Sequence, residues 1–117
     1  MSRGDRLREF LVFAFVVVTT GSAISQEEKA SSAGAGWVSC AEFGQSYQQS
    51  PKSTEDYFFA WAQGYMSGRN HSSFFRKDVN GLPRPQQKQH IRGFCSDNPL
   101  SNYYKAVDSL YDALPNR

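Results

Sequence analysis

The chain has 117 residues, enough for one domain and no more. Its 39% hydrophobic and 21% charged residues suit a globular fold, and the 15% aromatic share suits a small core, because large rings bury much area per residue. With 13 Lys and Arg against 11 Asp and Glu the formal net charge is +2, which excludes a polyanion binder held by overall charge and so a nucleic-acid partner.

The N-terminus has the three-part layout of a secretory signal peptide. Arg3, Arg6 and Arg8 are followed by an unbroken apolar run, Phe10 to Val18, and then by small polar residues to Ser25, apart from Ile24. Cleavage after Ala23 or after Ser25 satisfies the small-residue rule. The apolar run falls short of the ~20 residues a spanning helix needs, so no membrane span is expected after cleavage. Residues 1–25 are thus predicted to be a leader and 26–36, rich in Ala, Ser, Gly and Glu, a flexible tail. Residues 37–117 are predicted to form an all-α domain of four helices.

Export bears on the two cysteines, Cys40 and Cys95. In a short exported chain such a pair is expected to form a disulfide. The bridge would close a loop of about 55 residues and stabilise by about 4 kcal/mol in the chain-entropy model.

Ser39-Cys40-Ala41-Glu42 matches a capping box and predicts a first helix from Cys40. It should end by Ser50, because Pro51 disfavours helical geometry at the residue before it. Ser53 or Thr54 is the expected cap of a second helix, with Glu55 and Asp56 in its first turn, running to Asn70. This helix is the expected centre of the fold. Tyr57, Trp61, Gly64, Tyr65 and Gly68 share one face, and Ala60, Gly64 and Gly68 make a small-residue line. That spacing predicts a close helix crossing, so Gly64→Leu is expected to overpack it. Trp61, Gly64, Tyr65, Gly68 and Asn70 are the candidate packing motif, with Asn70 and His71 ending the helix. The Gly-x-x-x-Gly spacing is not a membrane motif here, because Gln63, Ser67 and Arg69 interrupt it.

Phe74 to Arg84 carries Asn80-Gly81 and Pro83 and reads as loop. Pro85 starts a third helix, Gln86 to Ser96, with Ile91, Phe94 and Cys95 inward. Asn98-Pro99 is the expected start of the fourth. Its stripe is Leu100, Tyr103, Tyr104, Val107, Leu110, Tyr111 and Leu114, and Pro115 ends it. No segment alternates with period two, so no sheet is expected.

Cys40, Cys95, His71 and His90 have the composition of a zinc site but lack its short paired spacings. A disulfide-bonded cysteine is not a nucleophile, so a Cys–His catalytic pair is not expected either. The expectation is a non-enzyme without cofactor. One charge pattern remains. Arg69, Arg76, Lys77, Arg84, Lys88 and Arg92 face only Asp78 within residues 69–92. Such a segment could meet an acidic protein partner, a lipid head group or a cell-wall polymer.

Cys40-Ala41-Glu42-Phe43 resembles the Cys-x-x-Phe opening of the HdeA/HdeB group of small periplasmic proteins. Phe94-Cys95-Ser96-Asp97-Asn98-Pro99, followed by an aromatic helix ending in Leu114-Pro115-Asn116, resembles the end of the HdeB branch. The resemblance spans roughly residues 37–116. It implies a helical fold with one disulfide, a periplasmic location and acid-stress chaperone activity toward protein clients. It also implies a homodimer at neutral pH. The run Trp61 to Asn70 departs from that pattern. It looks more like exported proteins with a Trp-x-x-Gly-Tyr-x-Ser-Gly-x-Asn signature, and Gly-Tyr-x-x-Gly is similar to Tai-type immunity proteins, which bind secreted amidases. An envelope binding or inhibitor protein acting through residues 69–92 is therefore the alternative expectation.

Overall fold

The structure, a computed structural model, describes residues 33–117. The expected leader and residues 26–32 of the expected tail lie outside the described residues. Within them the chain forms a short 3-10 turn, Gly34–Trp37, and four α-helices: α1 Cys40–Gln49, α2 Pro51–Ser72, α3 Arg84–Asp97 and α4 Tyr103–Ala113. Strand-like pairing among the described residues is limited to two isolated bridges, Ser39 with Asn102 and Lys77 with Asn116. The helices pack as one all-α domain, in which α4 lies against α3, α2 and the 3-10 turn, and α1 against α2 and α3. Cys40 and Cys95 are disulfide-bonded, with their Cα atoms 4.7 Å apart, and both are buried.

The start of α1 is set partly by its own sequence and partly by distant chain. The Ser39 hydroxyl accepts from the Glu42 amide at 3.1 Å, and donates to the Glu42 carboxylate at 3.3 Å. The amides of Cys40 and Ala41 still need acceptors, as the first amides of any helix do. They donate to the carbonyls of Ser101 and Pro99 at 2.7 and 3.1 Å, while the Tyr103 amide donates to the Val38 carbonyl at 2.8 Å.

This exchange corrects the expected start of the last helix. Asn98 is the C-cap of α3, and its side-chain amide donates to the Phe94 carbonyl at 2.9 Å. The turn from Asn98 to Asn102 lends carbonyls to α1, and the Tyr103 amide gives its one proton to Val38 rather than to the Pro99 carbonyl a turn earlier. The last helix, α4, therefore begins at Tyr103. Leu100, expected on the buried stripe, rides on that turn and is 96% exposed. Tyr103, Val107, Leu110, Tyr111 and Leu114 are buried as the spacing predicts, while Tyr104 is half-buried.

The second helix starts earlier than its expected caps and ends later. Pro51 takes the first position, where a missing N–H is harmless, and Ser50 alone separates α1 from α2. Thr54 lies inside α2, and its hydroxyl donates to the Ser46 carbonyl at 2.9 Å.

Its inner face is also different. Thr54, Phe58, Phe59, Ala62 and Met66 are buried, whereas Tyr57 is 64% exposed. Phe58 meets Phe43 of α1 and Tyr103 of α4 with ring centroids 5.0 and 4.9 Å away. The run carries two apolar stripes. The stripe with Phe58, Phe59 and Met66 brings more area to the core. Ala60, Gly64 and Gly68 are left outside, and a Cβ added at Gly64 or Gly68 would meet nothing within 4 Å. No helix among the described residues crosses there. Gly64→Ala is accordingly expected to stabilise the domain by about 0.5–1 kcal/mol in urea melts, from helix propensity alone. A loss of stability would mean that this face is covered in solution.

Residues 33–36 correct the expected tail. Ala35 and Gly36 are buried, and the Trp61 indole N–H donates to the Ala33 carbonyl at 2.9 Å. Gly36 lies so close to that indole that a Cβ there would collide with it. The packed domain thus includes Ala33 to Gly36.

Candidate functional site

The fold divides the expected basic segment into residues that hold the helices together and residues that face outward. Arg92 of α3 donates through Nη1 to both carboxylate oxygens of Glu55 on α2, at 2.7 and 2.6 Å. Its guanidinium lies 5.3 Å from the Tyr47 ring centroid. Arg69 of α2 reaches Asp108 of α4 at 3.1 Å, with its guanidinium 4.0 Å from the centre of the Tyr111 ring. The Lys77 ammonium donates to the carbonyls of Asp112 and Leu114, at 3.2 and 3.1 Å, where the end of α4 leaves acceptors free. Lys88 sits 5.3 Å from the Phe59 ring centroid. Arg69, Lys77 and Arg92 therefore belong to the scaffold. Of the expected basic segment, Arg76 and Arg84 are exposed.

Of the packing motif expected in α2, Gly64 and Gly68 face outward, while Trp61, Tyr65 and Asn70 form a seam against α4. Trp61 and Tyr65 stack at 4.9 Å. The Tyr65 hydroxyl donates to Asp108 at 2.8 Å. Burial, and after it this bond to Asp108, push the Tyr65 pKa up to about 12, so the phenol keeps its proton and remains a donor. Asn70 lies inside α2, which runs on to Ser72, so it does not end the helix as expected. Its amide N–H donates to the Lys77 carbonyl at 2.9 Å, while its oxygen accepts from the Lys77 amide at 3.0 Å and from the Tyr111 hydroxyl at 2.6 Å. One side chain thus fastens the loop after α2 to α4.

That loop carries the most unusual surface of the domain. Phe74 and Phe75 are adjacent and 97% and 85% exposed, their rings 5.9 Å apart. The Ser73 hydroxyl accepts from the Phe75 amide at 3.2 Å and donates to the Phe75 carbonyl at 2.7 Å, which closes the tip into a tight turn. On the far side the Arg117 amide donates to the Arg76 carbonyl at 3.0 Å. A hollow of about 200 Å³ is lined by Ser67, Asn70, His71, Arg76, Val79 and Arg117. A second borders Phe74, Phe75, Arg76, Asn116 and Arg117. No Asp or Glu lines either one.

Sequence pattern marks the Phe74–Phe75 pair only as part of a loop. The signal it does carry is two adjacent rings in a segment without periodicity. Arg117 cannot be joined to Arg76 from sequence, because 40 intervening residues carry no local sign of the pairing.

The other candidate residues do not converge. His90 hydrogen-bonds Ser109 at 2.9 Å, His71 lines the hollow beside Arg76, and both cysteine sulfurs are in the disulfide. Among the described residues, no group of three or more His, Cys, Asp and Glu could hold a metal ion, and no helix is long and apolar enough to cross a membrane. A further hollow beside the disulfide takes in Phe43, Tyr47 and Pro99, together with Arg92, already paired to Glu55. In comparisons with known proteins, no family model, no curated protein and no solved structure matches the chain.

Proposed function

We propose that this chain is an exported binding protein, periplasmic in a two-membrane envelope, that docks on an acidic surface through the corner of Phe74, Phe75, Arg76 and Arg117 and performs no chemistry of its own. The observation that carries this reading is the pair of exposed phenylalanines set beside cations with no Asp or Glu in the adjoining hollows. Apolar side chains displayed this fully, set beside cations, suit a contact made by burial and steered by charge. The test is co-sedimentation of the protein with isolated cell envelopes at low and high salt. Retention should weaken with salt and fall in both F74S/F75S and R76S/R117S. Retention that ignores salt and both double variants overturns the reading.

An acid-stress chaperone of the HdeA/HdeB type is a second reading. It is favoured by the Arg92–Glu55 and Arg69–Asp108 pairs, which fasten α2 to α3 and α4. Both are charge-dependent contacts between helices, the kind of contact an opening domain would have to break. Its test is the aggregation of a model client in acid, with and without the protein. Protection that persists in F74S/F75S would favour it over docking.

A further inference from the structure

We infer that the corner is a docking site for an anionic lipid bilayer, with Phe74 and Phe75 entering the headgroup region and a lipid phosphate settling among Ser67, His71, Arg76 and Arg117. This inference rests on the docking reading above and names the partner.

The shape of the patch favours a bilayer over a protein. An aromatic hot spot in a protein interface sits inside a broader, closely packed patch. Here the rings stand out from a loop tip, and Val79 is the sole other apolar side chain lining the two hollows. Two rings form a wedge, and their flanking cations would lie at headgroup level, as at membrane interfaces in general.

Part of the tip's backbone is already bonded. A peptide group moved toward lipid is costly unless its N–H and C=O are already bonded. The Ser73 hydroxyl serves both groups of Phe75. The loop is also held in place beforehand, by Asn70 through Lys77 and by the Arg117 amide on Arg76, so insertion need not order it. The charge is complementary as well. Arg76 and Arg117 are exposed and line hollows without an Asp or Glu side chain. Anionic leaflets attract such clusters over about one Debye length.

The test uses protein from cells expressing the full chain, sedimented with protein-free vesicles of phosphatidylcholine with or without phosphatidylglycerol. Binding should require phosphatidylglycerol. It should fall by about fivefold for each cation lost in R76S/R117S. It should fall about tenfold or more in F74S/F75S, where two apolar rings are removed. All four side chains are exposed, and urea melts should show both variants folded like wild type. A second measurement uses F75W. Its tryptophan emission should shift to the blue with anionic vesicles and be quenched by brominated lipid beyond the level seen in wild type. Equal vesicle binding by wild type and F74S/F75S, or no extra quenching in F75W, overturns the inference. Corner-dependent retention on envelopes without vesicle binding overturns the bilayer as partner and leaves the docking reading standing. Loss of both removes both.

Discussion

Replacing Cys40 and Cys95 together by alanine should lower the stability of the domain by about 2–5 kcal/mol. The bond joins the first turn of α1 to the last turn of α3, across 55 residues of chain that include all of α2. Removing it frees that loop in the unfolded state and leaves two small voids where both cysteines are buried. Native domains hold about 5–15 kcal/mol in total, so the loss could unfold this one at body temperature. Urea melts of wild type and C40A/C95A measure the difference, and non-reducing peptide mapping establishes the pairing in exported protein. Free thiols at both positions, or a variant as stable as wild type, would contradict this account of the fold.

Asn70→Ala is the point substitution expected to cost most outside the apolar core. It removes three hydrogen bonds, two to the Lys77 peptide groups and one from the Tyr111 hydroxyl. At about 1 kcal/mol each, with a further penalty for a buried tyrosine hydroxyl left without its acceptor, the gross loss is about 3–4 kcal/mol. Alanine is the better helix former and returns about 0.6 kcal/mol. The net expectation is a loss of about 2–3 kcal/mol in urea melts, with faster exchange of the Lys77 amide. Asn70→Asp should lose less, because an oxygen remains for the Lys77 amide and the Tyr111 hydroxyl. Were alanine and aspartate to leave stability and exchange unchanged, the loop would be held by something else. The effect bears on function, because Asn70 secures the base of the loop that displays Phe74 and Phe75.

Several features are legible in the amino-acid sequence by itself, and each depends on groups within a turn of one another. Ser39 and Glu42 are three residues apart, so their capping exchange is written locally. Pro51 and Pro115 end helices because the proline ring constrains its own neighbours. The apolar spacing from Tyr103 to Leu114 marks a single stripe on α4, and burial follows it. Cysteine number, read together with the expected export, implies the bond that the structure contains.

Other features needed the assembled fold. The run around Trp61 is apolar on two sides, so helical periodicity alone could not choose between them. The rings of Phe43 and Tyr103 decided it, by offering Phe58 a place to pack, and Gly64 and Gly68 were left facing outward. Asn98-Pro99 looks like a helix start in isolation. The amides of Cys40 and Ala41, about 60 residues earlier, bond the carbonyls of that turn, and the Tyr103 amide is given to Val38, so α4 starts later. The basic segment is continuous as a string of letters. Arg69, Lys77 and Arg92 are drawn into the scaffold by Asp108, the end of α4 and Glu55, while Arg76 joins Arg117. Local sequence specifies where a helix can begin and end, because those signals act through neighbouring backbone groups. Which face is buried and which cations remain free depended on partners 15 to 45 residues away, and only packing brings those together.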